Sequence, residues 1–238
     1  MNRFENYKSS CKLFSASIAA IITPMLIDRA ELYFGNQHVL LFWIVVALVI
    51  VFVTALNYFF DKAIEKSSYV RRLIMGSHYI EGYYYDLSIE NIPSSIDCTK
   101  STVKHGVLVK IEYYDGGFHI NGVTYDAKGH RLATWKSNSC TYQDRIVYAQ
   151  YESHTEYSKT GIETGLLQLQ FENPPYSYSG FYFDITNNIQ VIISGINVDK
   201  KQLKEYNYFN RPEMKRAFLI NAIQIENENL RNGSGSFH

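Results

Sequence analysis

The stretch KHGVLVKIEYYDGGFHINGVTYD, Lys104 to Asp126, carries two runs of alternating apolar residues around a three-residue break. In the first run Val107, Val109, Ile111 and Tyr113 fall on one parity, the spacing at which strand side chains share a face. Asp115, Gly116 and Gly117 tolerate the positive φ that a tight hairpin turn needs. The segment therefore predicts two antiparallel strands, Lys104 to Tyr114 and Gly117 to Asp126.

Working outward, the same signals recur. Strands are expected over His78 to Leu87, Arg131 to Ser137, Tyr142 to Tyr151, Gly165 to Glu172, Ser179 to Thr186 and Ile189 to Asn197, with most of the twenty tyrosines in this part of the chain. Asp126-Ala127-Lys128-Gly129 and Asn187-Asn188 supply turns, and Asn173-Pro174-Pro175 a loop. Eight short-looped strands suit an up-and-down antiparallel β-barrel. Two packed sheets built from the same strands are the alternative, because alternation does not distinguish closure from stacking. Asp199 with Gln202 resembles a capping box, and Asn210, Pro212 and Glu213 mark a second short helix through Met214, Ala217, Phe218 and Ile225.

Upstream the pattern changes. A bilayer core about 30 Å thick needs roughly 20 apolar helical residues. Val39 to Phe60 supplies them without a charge, and Leu13 to Ile27 supplies a shorter run that Ser9, Ser10 and Cys11 extend, with Lys12 reaching toward the headgroups. Met25, Leu26 and Asp28 make a poor signal-peptide cleavage site. Arg3, Lys8 and Lys12 precede the first span, and Lys62, Lys66, Arg71 and Arg72 follow the second. The intervening loop sets Arg29 against Asp28 and Glu31. By the positive-inside rule both termini are cytoplasmic in a multi-pass protein. The expected organisation is a transmembrane hairpin and connector over residues 1–75, a membrane-anchored all-β barrel with terminal helices over 76–230, and a flexible tail over 231–238. On the first span Cys11, Ser15, Ala19 and Thr23 form a small-residue stripe suited to close packing, either within the hairpin or between subunits.

Composition narrows the function. Twenty-three basic residues balance twenty-three acidic ones, which argues against a DNA or RNA polymer as partner. Cys11, Cys98 and Cys140 are an odd set without metal spacing and read as packing residues in a reducing compartment. The histidines lack ligand spacing. No phosphate-binding glycine loop, serine elbow or buried carboxylate pair marks an enzyme, so neither catalytic nor metal residues are assigned.

Strand parity supplies the candidate ligand site. Leu167, Leu169 and Phe171, and likewise Phe181, Phe183 and Ile185, are the more apolar sets and are expected to point inward. Lys110, Glu112 and Lys136 then face solvent. Ala133 and Trp135 share parity with Arg131, as Val147, Ala149 and Tyr151 do with Arg145. A buried guanidinium needs a counter-charge. Arg131 and Arg145 beside Tyr113, Trp135 and Tyr151 would therefore receive a ligand with negative charge and flat rings. The alternative is that each arginine lies at a strand end, in solvent or paired with Asp144 or Glu152.

Gly82-Tyr83-Tyr84 resembles the glycine-x-aromatic opening of lipocalin-like barrels, with tyrosine where tryptophan is usual. Across nearly its whole length, with a short N-terminal segment, two spans and an eight-stranded barrel in that order, the chain resembles the two-transmembrane β-barrel effectors of CBASS, the bacterial antiphage system built on cyclic-oligonucleotide signals. That resemblance implies a receptor without catalytic activity or cofactor. Such a receptor binds a cyclic dinucleotide in its barrel, forms homo-oligomers in the cell inner membrane and disrupts the bilayer. The residues alone also admit a membrane-tethered lipocalin-like binder of lipid or another apolar molecule, with Val107, Phe171 and Phe183 as its pocket and the arginines as a carboxylate clamp.

Overall fold

The computed structural model describes residues 3–34, 38–92, 100–156, 162–172 and 177–232. The chain divides into two compact units, residues 1–76 and 77–238. The proposed tail beyond 232, Cys98 and the Asn173-Pro174-Pro175 loop lie outside the described residues.

The first unit is helical: α1 spans Arg3–Phe34, α2 His38–Lys66 and α3 Ser68–Met75. Ser9–Arg29 and Trp43–Lys66 are long and apolar enough to cross a membrane. Leu13, Phe14, Ile21, Leu48 and Val51 are exposed, leaving far more apolar surface than water favours. Where the two helices meet, Ser15 is fully buried, and its hydroxyl can donate to the Cys11 carbonyl at 2.8 Å or across to Asn57 Oδ1 at 3.1 Å. Ser15 of the small-residue stripe thus packs inside the hairpin. α2 stops at Ser67, whose side chain caps the Val70 amide. Arg71 then folds back, donating to the Ile64 and Glu65 carbonyls at 2.8 Å each, acceptors that a helix end leaves open.

The second unit is a closed antiparallel barrel in the order β1 to β8. Its strands are β1 Gly82–Ile92, β2 Lys100–Tyr114, β3 Gly117–Asp126, β4 Arg131–Gln143, β5 Ile146–Thr155, β6 Glu163–Phe171, β7 Ser177–Asp184 and β8 Ile189–Asn197. The barrel is up-and-down throughout, which excludes the two-sheet alternative. Two short helices follow, α4 Lys200–Glu205 and α5 Pro212–Arg231. Asp199 and Gln202 form the expected capping box at α4.

One end of the barrel is packed solid. Tyr84, Phe171 and Tyr178 meet at centroid distances of 5.5 to 5.7 Å. Phe118 takes Tyr113 at 5.3 Å and Tyr142 at 5.2 Å. These tilted and edge-on contacts suit the quadrupoles of the rings. Tyr84 and Tyr142 satisfy their hydroxyls by donating to the Ile80 and His78 carbonyls at 3.0 and 2.9 Å. This floor closes the end that carries the β2–β3 and β4–β5 turns.

Outside the barrel, α5 covers β1 to β3. Phe218 lies edge-on to Tyr85 at 5.3 Å and packs with Leu108, Val123, Tyr125 and Leu219. Asn227 clasps the β2 backbone, accepting from the Val103 amide at 2.8 Å and donating to its carbonyl at 3.3 Å. This brace explains why Tyr83, Tyr85 and Leu87 face outward while Tyr84, Asp86 and Ser88 face inward.

The register of β7 overturns one parity expectation. Tyr178, Gly180 and Tyr182 pair with Phe171, Leu169 and Leu167, all inward residues, so Phe181 and Phe183 face outward and Ile185 is an exposed turn residue. Directly paired residues share a face whatever their hydrophobicity.

Closure is uneven. β8 meets β1 at Tyr84–Asn197 and Tyr85–Ile196, and the Val198 amide adds a bond to the Tyr83 carbonyl at 2.8 Å. Among the described residues this ladder stops at Tyr85, so toward the open end β1 and β8 run unpaired. Replacing Tyr84 with Ala is expected to cost about 3 to 5 kcal/mol through the cavity it leaves. Tyr84→Phe is expected to cost only about 1 kcal/mol for the lost hydrogen bond. Chemical unfolding of the two variants checks the ratio.

Candidate functional site

Between the aromatic floor and the open end lies a cavity of about 750 Å³. That volume falls within the roughly 300 to 1,000 Å³ of small-molecule sites. Val107 and Val109 of β2, Ala133 and Trp135 of β4, and Leu167 and Leu169 of β6 supply its apolar wall.

Three glycines make room for its aromatic side chains. A Cβ on Gly122 would overlap the Trp135 indole, one on Gly165 the Tyr151 ring, and one on Gly195 the Tyr178 ring. Each pair is directly opposed across neighbouring strands. The rings therefore lie against the wall over a bare backbone. Trp135 and Tyr151 meet at 6.0 Å, and Tyr151 and Tyr182 at 6.2 Å.

The polar lining is acidic. Asp86, Glu163 and Asp184 line the cavity with His105, Ser153 and Thr155, and among the described residues no lysine or arginine does. Burial pushes the Asp86 carboxyl up to about 7. Burial and the charges of Asp184, Asp86 and Glu163 raise the Tyr182 phenol, so three carboxylates share one field. Burial and Lys104 lower His105, which stays neutral near pH 7. Among the described residues no three histidine, cysteine or acidic side chains converge as a metal site. Cys140, pushed up to about 12 by burial, is a thiol held away from its reactive form.

Of the five residues singled out from sequence, Trp135 and Tyr151 line the cavity together. Tyr113 lies in the aromatic floor. The arginines are at opposite ends and neither lines the cavity. A bulge in β4 puts Thr124 opposite Ala133 but Tyr125 opposite Arg131, so the parity flips and Arg131 points outward. There it pairs with Glu156 at 3.0 Å in solvent, an interaction worth about 0 to 1 kcal/mol. β4 runs on through a second bulge to Gln143, leaving Asp144 and Arg145 as a two-residue hairpin turn with φ of 49° and 67°. The two-arginine anion site is therefore replaced by an acidic one. Tyr182, Asp86, Asp184 and Glu163 were missed in the sequence. Asp86 shares parity with Tyr84, but the more apolar face of β1 belongs to α5. Glu163 sits at a strand start that the sequence placed at Gly165.

Comparison with known protein families, curated proteins and solved structures gives no match.

The raised Asp86 fixes a pH dependence. Its folded pKa of about 7 exceeds the unfolded value of 3.8, so the folded state binds more protons between them. Its contribution to stability is therefore best at low pH and falls as pH rises from about 4 to 7. Asp86→Asn is expected to melt increasingly above wild type across that interval, with the gap constant beyond it, in thermal scans from pH 4 to 8. Gly122→Ala is expected to cost about 1 to 3 kcal/mol by forcing Trp135 off the wall. Chemical denaturation measures that loss.

Proposed function

We infer that this chain is a membrane receptor of the kind its sequence resembles, an effector of CBASS antiphage defence. In this reading a cyclic dinucleotide enters the barrel cavity, binding assembles the helical hairpins in the bacterial inner membrane, and disruption of that membrane kills the infected cell. The observation that carries it is the cavity. An eight-stranded barrel has an interior that side chains alone can fill. Here about 750 Å³ is left open at one end. The other unit of the same chain has two helices apolar enough to cross a bilayer.

The acidic lining sets how such a ligand lies. Bases with N–H donors belong inside, against Trp135, Tyr151 and the carboxylates. The phosphates belong at the rim, where water screens them and the β3–β4 turn carries Lys128 and His130. Lysines and arginines flanking both apolar helices favour a cytoplasmic barrel, the compartment in which such signals are made. Binding can drive assembly only by its differential affinity for the assembled state. The second reading is a tethered binder of a neutral or cationic apolar molecule, favoured by the carboxylates and aliphatic wall. An arginine-clamped fatty acid loses its support, because neither arginine lines the cavity and Phe183 faces outward.

Crosslinking of full-length protein in membranes, with and without a panel of cyclic dinucleotides, tests the receptor. Ligand-dependent oligomers are expected, while constitutive or absent oligomers refute the coupling. Trp135→Ala is expected to weaken binding by about 1 to 3 kcal/mol per stacked base, and Arg131→Ala to leave it unchanged.

A further inference from the structure

The three cavity carboxylates differ in what already holds them. Asp184 accepts from the Thr186 and Asn187 amides at 2.8 and 3.1 Å and from Asn187 Nδ2 at 2.7 Å, so it is consumed in building the β7–β8 turn. Glu163 receives the Thr155 hydroxyl at 3.5 Å. Asp86 is 7 % exposed, lines the cavity and accepts no hydrogen bond from any described residue. It is also the first inward residue beyond the last β1–β8 pair, where the two strands begin to run apart.

A buried carboxylate with empty lone pairs calls for donors, and two parallel N–H groups satisfy it best. Among nucleobases, guanine alone sets two donors side by side, N1–H and the 2-amino group. The Watson–Crick edge of adenine or cytosine places an acceptor beside its donor, and that of uracil places acceptors on both sides of one. Resting on the receptor reading above, we propose that Asp86 anchors the ligand through one base, and that this base is guanine. Trp135 and Tyr151 then supply apolar faces for the rings.

The anchor acts as the ionised carboxylate. Facing it are His105 of β2, Tyr151 of β5, Glu163 of β6 and Tyr178, Tyr182 and Asp184 of β7. Burial keeps these tyrosines protonated and His105 neutral, and the other two groups are acids, so among the described residues no cation competes for Asp86. A ligand that needs the charge therefore gains affinity as pH rises through 7. Ionisation grows about tenfold between pH 6 and 8 for a group titrating near 7, and affinity follows it.

Calorimetric titration of full-length protein in detergent micelles, at pH 6 and 8, tests this with 3′,3′-cyclic di-GMP, 3′,3′-cyclic di-AMP and guanosine. Cyclic di-GMP is expected to bind at least tenfold tighter than cyclic di-AMP at pH 8 and to lose about tenfold at pH 6. Asp86→Asn is expected to abolish both differences, while Arg131→Ala, which alters a side chain outside the cavity, keeps them. The wild-type pH profile and base preference are a test that does not depend on either variant. Equal binding of the two cyclic dinucleotides, or a flat pH profile for cyclic di-GMP, overturns the proposal. Asp86-dependent binding of guanosine without either cyclic dinucleotide sustains the anchor and refutes the cyclic-dinucleotide reading. No binding by any of the three overturns both.

Discussion

The structure depends on three aromatic rings lying flat over glycine. Trp135 over Gly122, Tyr151 over Gly165 and Tyr178 over Gly195 each join directly opposed residues of neighbouring strands. An eight-stranded barrel has an interior that side chains can just fill. Deleting the side chain opposite each ring lets the ring occupy wall instead of lumen. The two rings nearer the open end thus border empty space. The third joins Tyr84 and Phe171 in the floor, so one device serves both packing and vacancy.

Division of labour along the barrel axis follows. At the floor, edge-on ring contacts and satisfied phenols hold a dry core. At the other end the same strands carry Glu163 and Asp184, which already accept hydrogen bonds, and Asp86, a buried group that weakens the folded state unless something meets it. The brace of α5 on β1 to β3 buries Leu108, Val123 and Phe218 outside the barrel, so stability is drawn from a core separate from the cavity. The interior is thereby freed from having to be full.

Much of this was legible in the sequence. The turns at Asp115-Gly116 and Asn187-Asn188, the capping box at Asp199 and the two apolar helices follow from local chemistry, and the structure places them as read. The site was legible only in part, because strand parity assumes an unbroken strand with one dry face. Two bulges in β4 break the first assumption and turn Arg131 outward. The helix over β1 breaks the second, hiding Asp86 on the less apolar parity. On β7 the register of paired residues outranked hydrophobicity, sending Phe181 and Phe183 to the outer surface. Trp135 and Tyr151 were found because their strands keep the alternation locally.

The short ladder between β1 and β8 gives the barrel the mechanics of a rolled sheet clasped at one corner. Beyond Tyr85, widening the slit breaks no β1–β8 hydrogen bond among the described residues, whereas every other seam carries ladder pairs toward that open end. At the open end compliance is therefore concentrated along one line of the wall, and Asp86 sits at its root. A guest that grips both flanks of that slit converts a soft seam into a stiff one, and the free backbone edge of β8 becomes the part of the molecule whose freedom changes most.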